Sequence, residues 1–287
     1  MAVVNTNANA SIAQNALARN ERAMNTAMER LSTGQRINTA ADDAAGLAIA
    51  SRMTSQIRGL EVGIRNANDA ISMISTADGA LIEVTNMLQR MRELALQASN
   101  GTTTSADRAY LSQEYENLLA EIDRIAENTQ WNGMTILNHT TDASSQFAFQ
   151  VGANGGQTIE VQFGDFTNTS SGLFTALATG SHGTISYATT ADAIAGNTSA
   201  VSLIDSAITG VNSQRATFGA AINQLTYAVD NLSNVQVNAE ASRSRIMDAD
   251  YAVETSELAR TQIIQQAGTA MLAQANQLPQ TVLSLLQ

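Results

Sequence analysis

Few side chains in this sequence are equipped for chemistry, and their spacing narrows what that chemistry is. The two histidines, His139 and His182, lie far apart, and neither sits in a recurrent metal-ligand spacing. There is no cysteine, which excludes disulfides, thiol nucleophiles and thiolate metal sites. Adjacent carboxylates at Asp42 and Asp43 have the composition of an acid/base pair or a metal anchor. Helix capping accounts for them more simply: Thr39 is placed as a cap with Asp42 in the first turn, where the helix dipole favours negative charge. Asp248 and Asp250 flank a second helix start in the same way. The glycine-rich "GANGG" has no following lysine and no strand–helix–strand context, so it is no phosphate loop. The reading is of a non-enzyme with no catalytic residue, cofactor or metal. The chemistry left is that of surfaces.

Charge limits the partners. The chain has 15 basic residues against 26 acidic, a net charge of −11, and every basic residue is arginine. Scattered arginines on an acidic chain make a poor nucleic-acid binder, because phosphate binding needs clustered positive charge. The negative excess serves solubility. The beginning of the chain lacks the basic and apolar regions of a cleavable signal peptide. No run approaches the roughly 18 apolar residues of a membrane-spanning helix.

The elements that must carry these surfaces are long helices. Of 287 residues 44% are hydrophobic but only 4% aromatic, which suits thin helical seams. One proline, Pro279, interrupts almost nothing. Alternating three- and four-residue spacing marks the seam Ala10, Ala13, Leu17, Asn20, Met24, Ala27, Leu31. Asn20 there either sets register or lies at a wet edge. Gly34 permits a break and Thr39 restarts the helix. A second seam runs from Ile57 to Ala98, with two three-residue steps in succession between Ile71 and Ala77. Asn100-Gly101 ends it, and Thr104-Ser105-Ala106-Asp107 reads as a capping box for a helix carrying Leu111, Tyr115, Leu118, Ile122 and Ile125. Asn132-Gly133 marks a turn. Phe147, Phe149, Val151 and Ile159, Val161, Phe163 then alternate with polar residues, as in a β-hairpin. Residues 164–200 read as exposed loop. Helix resumes at Val201 and runs to Ile246, and a last helix is read with a seam of Ile264, Ala267, Met271, Gln274, Leu278, Thr281 and Leu285.

The fold class that follows is mainly α: a long antiparallel helical coiled-coil rod with a small β-hairpin region, folded back so that both termini lie at one end. The domain division is 1–40 with 248–287, then 41–163 with 201–247, then the loop 164–200.

Three stretches, "MERLSTGQRINTAADDAAGLAIA", "LQRMRELALQASNGT" and "SRIMDADYAVETSELARTQIIQQAGTAMLAQANQLPQTVLSLLQ", resemble bacterial flagellin. The likeness covers nearly the whole chain outside 164–200 and is that of a short flagellin without large outer domains. It implies a structural subunit that polymerises into the flagellar filament for motility, secreted to the extracellular filament without a cleavable signal peptide. It implies a terminal helical core domain, a rod domain and a short exposed variable loop at 164–200. Self-assembly then falls to Leu17, Met24, Leu31, Ile264, Met271, Leu278 and Leu285, and the link between core and rod to Gly34, Thr39 and Asp42. Implied partners are further copies of the chain, an export chaperone at the C-terminal helix, filament cap and hook-junction proteins, and host flagellin receptors. Recognition by the host receptor is expected at Gln89, Arg90, Leu94 and Glu114. A hook–filament junction protein of the same superfamily and a non-flagellar coiled-coil scaffold are the alternatives.

Overall fold

A computed structural model describes residues 7–138, 146–167 and 190–284, with the side chains of 9, 190–196 and 278–284 outside the description. His139, His182 and Leu285 lie outside the described residues, as does most of the expected loop. The architecture is mainly α. Five helices, α1 (Ala8–Thr33), α2 (Ala44–Ala98), α3 (Ser105–Asn128), α4 (Thr190–Met247) and α5 (Tyr251–Ser284), account for most of the described chain. Two antiparallel pairs, β1 (Gln130–Trp131) with β2 (Met134–Thr135) and β3 (Gln146–Gln150) with β4 (Thr158–Gln162), stand between α3 and α4. Two compact units divide the chain, one of 1–57 with 237–287 and one of 58–236.

In the larger unit the apolar core is continuous from Ala67 to Leu225. Along α2 it takes Leu81, Val84, Leu88 and Met91, the positions of the expected seam. Where the spacing doubles its three-residue step, Ala70 and Met73 are buried and Ile71 only partly so. Asp78 pairs with Arg215 at 2.8 Å and Asp205 with Arg92 at 2.6 Å, so α2 and α4 run antiparallel.

Local signals set the ends of these elements. Thr104 accepts from the Asp107 N–H and Asp107 accepts from the Thr104 N–H, a complete capping box that starts α3. These hydrogen bonds, the Thr104 hydroxyl's first, hold the Asp107 carboxyl below the usual carboxylate range. At the end of α2, Arg108 is almost wholly buried, and its Nε donates to Ala98 O at 3.0 Å. A guanidinium there satisfies an orphan carbonyl and meets the negative end of the helix dipole. Asn132 and Gly133 both have positive φ, 50° and 79°, the conformation a two-residue hairpin needs.

The β3–β4 hairpin pairs Phe147 with Val161 and Phe149 with Ile159. Its turn rests on two glycines of α2. A Cβ on Gly63 would stand 2.7 Å from Val151 O, and one on Gly59 2.9 Å from Ala153 Cβ. Asn66 Nδ2 donates to Gln150 O, and from α4 Gln214 Nε2 donates to Gln162 O. Phe163 contacts Phe147 edge-on at 5.1 Å and Phe218 at 4.8 Å, which ties the hairpin into the core.

Two boundaries differ from the sequence reading. Helix α4 begins at Thr190, not Val201, and Asn197 and Ala200 are buried. This stretch dilutes its alanines with Thr, Asp, Gly, Asn and Ser, poor helix formers, so it carries neither a strong propensity nor a periodic signal. Phe166 and Thr167, expected in exposed loop, are buried, and Phe166 N–H donates to Leu137 O. A lone aromatic among Gly, Asp and Thr carries no pattern from which burial is readable.

Candidate functional site

In the smaller unit α1 and α5 pack antiparallel, which is visible in four hydrogen bonds. Asn7 Nδ2 donates to Ala275 O, Asn20 Nδ2 to Thr261 O at 2.7 Å, Arg30 to Glu254, and the Tyr251 hydroxyl to Leu31 O. The start of α1 and the end of α5 therefore lie at the same end of this pair. The α1 seam is the expected one: Ala10, Ala13, Leu17, Asn20, Met24, Ala27 and Leu31 are buried or half-buried. Asn20 resolves toward register. It is 9% exposed and also donates to Gln265 Oε1, contacts that a shifted pairing would break.

The α5 seam is not the expected one. Glu254, Leu258, Thr261, Gln265, Gly268, Leu272 and Ala275 are buried or half-buried at three-four spacing, while Ile264, Ala267, Met271 and Gln274 face outward. Hydropathy selects the opposite face because the α1-facing seam is mostly small or polar, with Leu258 and Leu272 its only large apolar members among the described residues. Gly268 shows why it works: a Cβ there would come 2.6 Å from Leu17 Cδ2, so the leucine fills the space a side chain would occupy. Glu254 is buried because Arg30 meets it at 3.1 Å, beside the first turn of α5.

The sequence-selected assembly residues thus separate into two sets. Leu17, Met24 and Leu31 join α1 to α5. Ile264 and Met271 lie with Val253 and Ile263 as an exposed apolar surface, Met271 at 66% and Ile263 at 67%. Ile12 and Met28 of α1 are exposed as well. Apolar side chains left in water at this density mark a surface that binds something. The side chain of Leu278 and all of Leu285 fall outside the described residues.

The link between α1 and α2 is built as two stops and a start. Gly34 ends α1 in the left-handed conformation, φ 70°, with its N–H on Arg30 O. Gln35 then bridges antiparallel to Asp248, with Arg36 N–H on Met247 O and Ala249 N–H on Gly34 O. The outgoing and returning links thereby hold each other. Asp42 accepts from the backbone N–H groups of Thr39 and Asn38 and from the Thr39 hydroxyl. These bonds, the Thr39 N–H first, pull its carboxyl below the ordinary range. Thr39 and Asp42 therefore close a single turn and do not cap α2. The cap is Asp43, which precedes α2 and accepts from Gly46 N–H at 2.9 Å. A second acid beside the first made the choice ambiguous in sequence.

Of the four residues at which receptor recognition is expected, three are at the surface. Gln89 and Arg90 are exposed on α2; Arg90 Nη2 meets Glu114 of α3 at 2.8 Å and its Nη1 meets Glu93 at 3.1 Å. Hydrogen bonding to Glu114 and then Glu93 raises the Arg90 pKa. Leu94 is wholly buried in the core, so it supports this surface from beneath and offers nothing to touch. Three-four spacing from Met91 to Ala98 admits either Leu94 or Ala95, and both are buried. Buried Arg108 had no such signal, because arginine reads as surface until its partners are known.

Among the described residues no group of three or more metal-ligating side chains converges, and no helix is long and apolar enough to cross a membrane. Residues 4–142 match the family described as "Bacterial flagellin N-terminal helical region", and residues 201–286 match "Bacterial flagellin C-terminal helical region". The chain is 47% identical over 265 residues to a flagellin of Halalkalibacterium halodurans, covering 91% of each chain. It is 42% identical over 313 residues to a flagellin of Xenorhabdus nematophila, covering 99% of each. A solved structure assigned as a flagellar hook-associated protein from Vibrio parahaemolyticus shares the fold at a TM-score of 0.57. It is 14% identical, and the match covers 72% of this chain and all of that one.

Proposed function

The chain belongs to the bacterial flagellin family, and from that premise we propose how its surfaces serve a flagellar filament. It is a structural subunit of that filament, an extracellular homopolymer. The terminal segments, 1–40 and 248–287, assemble with other copies, and 41–163 with 201–247 form the rod domain. The functional boundary lies at the link, where Gln35 and Asp248 bridge. The role is structural and not catalytic.

The observation that carries this assignment is the outward surface of α5. Val253, Ile263, Ile264 and Met271 are exposed on a helix whose opposite face is already used by α1. A helical polymer supplies the missing partner, because each subunit meets several others through different surfaces. Before assembly the same stripe needs cover, which suits an export chaperone docking on α5. Cap and hook-junction proteins meet this terminal domain at the two ends of the polymer.

The test is Ile264→Asp with Met271→Asp, refolded and seeded in vitro. Electron microscopy is expected to find no filaments, while circular dichroism reports the larger unit folded. An aspartate at either position is unpaired and desolvated in the contact. Normal filaments would overturn the reading. Leu278→Asp and Leu285→Asp are expected to act in the same way.

Host receptors are proposed to engage Gln89, Arg90 and Glu114. Arg90 carries a directed set of donors on a long arm, and a receptor carboxylate would take the place of Glu93 or Glu114. Arg90→Asp, with folding verified, is expected to weaken receptor activation by about tenfold. Unchanged activation would remove the role.

A further inference from the structure

We propose that Asn100-Gly101, between α2 and α3, is a self-promoted deamidation site that ages to an isoaspartyl linkage. The chain has three Asn-Gly steps, at Asn100, Asn132 and Asn154. Each lets the next peptide nitrogen approach the side-chain amide without a Cβ in the way. Only at Asn100, among the described residues, do hydrogen bonds converge on both carbonyls that the reaction uses.

Asn100 and Gly101 are exposed, and a Cβ at Gly101 would meet nothing within 4 Å. Thr102 N–H donates to Asn100 Oδ1 at 3.3 Å. That donor lies where negative charge develops when the side-chain amide carbon is attacked, the position of an oxyanion donor. Three donors meet the backbone carbonyl oxygen of Asn100: Thr103 N–H at 3.2 Å, the Thr103 hydroxyl, and Arg108 Nη2 at 3.4 Å. This carbonyl is conjugated with the Gly101 nitrogen. Donors on its oxygen stabilise the anion left when Gly101 N–H loses its proton, and a charged guanidinium does so most strongly. Arg108 cannot swing away, because it is 1% exposed and its Nε is held by Ala98 O.

The other two steps lack this convergence. Asn132 is held with Gly133 at positive φ in a two-residue hairpin, which a five-membered imide ring would have to dismantle. At Asn154 the Gln150 side chain donates to the backbone oxygen, and Asn154 N–H is tied to Gln157 Oε1. No bond to its side-chain oxygen is present among the described residues.

The chemistry balances without a cofactor. Solvent base removes the Gly101 N–H proton, and the nitrogen bonds to Asn100 Cγ. The Cγ–Nδ2 bond breaks, and the leaving nitrogen takes a proton from water and departs as ammonia. Water then adds to one carbonyl of the imide, and that carbonyl's bond to the Gly101 nitrogen breaks. Attack at the backbone carbonyl gives isoaspartate, and attack at Cγ gives aspartate. Because Thr103 and Arg108 polarise the backbone carbonyl, isoaspartate is the favoured product. The product inserts a methylene into the chain and places a carboxylate beside the arginine that closes α2.

The test ages the purified full chain in mildly alkaline buffer and maps one-dalton mass gains and isoaspartate by peptide mass spectrometry. Asn100 is expected to convert roughly tenfold faster than Asn132 or Asn154, and faster than in an unstructured peptide of residues 94–107. Thr103→Val is expected to slow Asn100 by about threefold while leaving Asn154 unchanged, since one of the donors is lost. Conversion at Asn100 no faster than at Asn154, or no faster than in the peptide, would overturn the proposal. So would a Thr103→Val chain, shown folded by circular dichroism, that ages at Asn100 like the parent.

Discussion

The two units use the same three-four spacing to opposite ends. Residues 58–236 bury Leu81, Leu88, Tyr115, Phe163, Phe166 and Phe218 with a wide apolar neighbourhood around each. In the other unit the buried apolar residues among those described are Ala27, Ile37, Ala50 and Ile57. Its α1–α5 seam is held by Asn20, Thr261, Gln265, Gly268 and the Arg30–Glu254 pair instead. Ordering a residue costs roughly 1–2 kcal/mol of backbone entropy. Small and polar seams return little of that as buried apolar area, at about 25 cal/mol per Å². One unit can therefore hold itself together, while the other leaves Ile12, Met28, Val253, Ile263, Ile264 and Met271 in water and gains most when they are covered. Stability is concentrated in one unit, and the proposed association surface lies on the other.

The largest expected effect that breaks this contrast is Phe163→Ala. It removes the ring that joins the hairpin to Phe218, and chemical denaturation should find the larger unit weaker by about 3–5 kcal/mol. A loss no greater than that of a surface substitution would mean the aromatic cluster is not what sets the units apart. Next is Gly63→Ala. The new methyl meets backbone at Val151 O, which cannot rotate away as a side-chain tip can. A cost of about 1–3 kcal/mol is expected, with the hairpin's amide hydrogens exchanging faster. Asn20→Ala sharpens the other half of the comparison. It removes donors to Thr261 O and Gln265, and should cost about 1 kcal/mol, seen as earlier protease cleavage in α1 and α5 with 58–236 unaffected.

The smallest effect is acidic. Hydrogen bonding holds the folded pKa of Asp107 below its ordinary 3.8, so the stability it adds is fully present above that value. That contribution is lost as pH falls through the depressed folded pKa. Asp42 behaves alike in the smaller unit. Asp107→Asn and Asp42→Asn should each flatten the acid limb of a stability–pH profile for their own unit and leave the other unchanged. Unaltered acid limbs in both variants would count against the Asp107 cap and the Asp42-closed turn.

Features whose partners are near in sequence were legible from it. The Thr104–Asp107 capping box, the Asn132-Gly133 turn, the alternation of Phe147 and Phe149, and the α1 seam each declare themselves within a few residues. The same holds for the family motifs, which are long contiguous strings. Apart from the α2 cap, where Asp42 and Asp43 compete within a few residues, most of what failed depends on a partner farther along the chain. The face of α5 that meets α1 cannot be read from α5 alone, because Gly268 is a seam residue only once Leu17 lies over it. Leu94 belongs to a motif and also to a core, and the packing of α2 decides that it is the core it touches. Arg108 is surface-like until the carbonyl of Ala98 receives it. Local hydrogen bonds and periodicity belong to the sequence by itself, since they require only that neighbours in the chain adopt one backbone conformation. Which face is inward, which charge is paired and which apolar residues stay in water belong to the tertiary structure, because burial is a property of two surfaces meeting and a sequence presents one at a time.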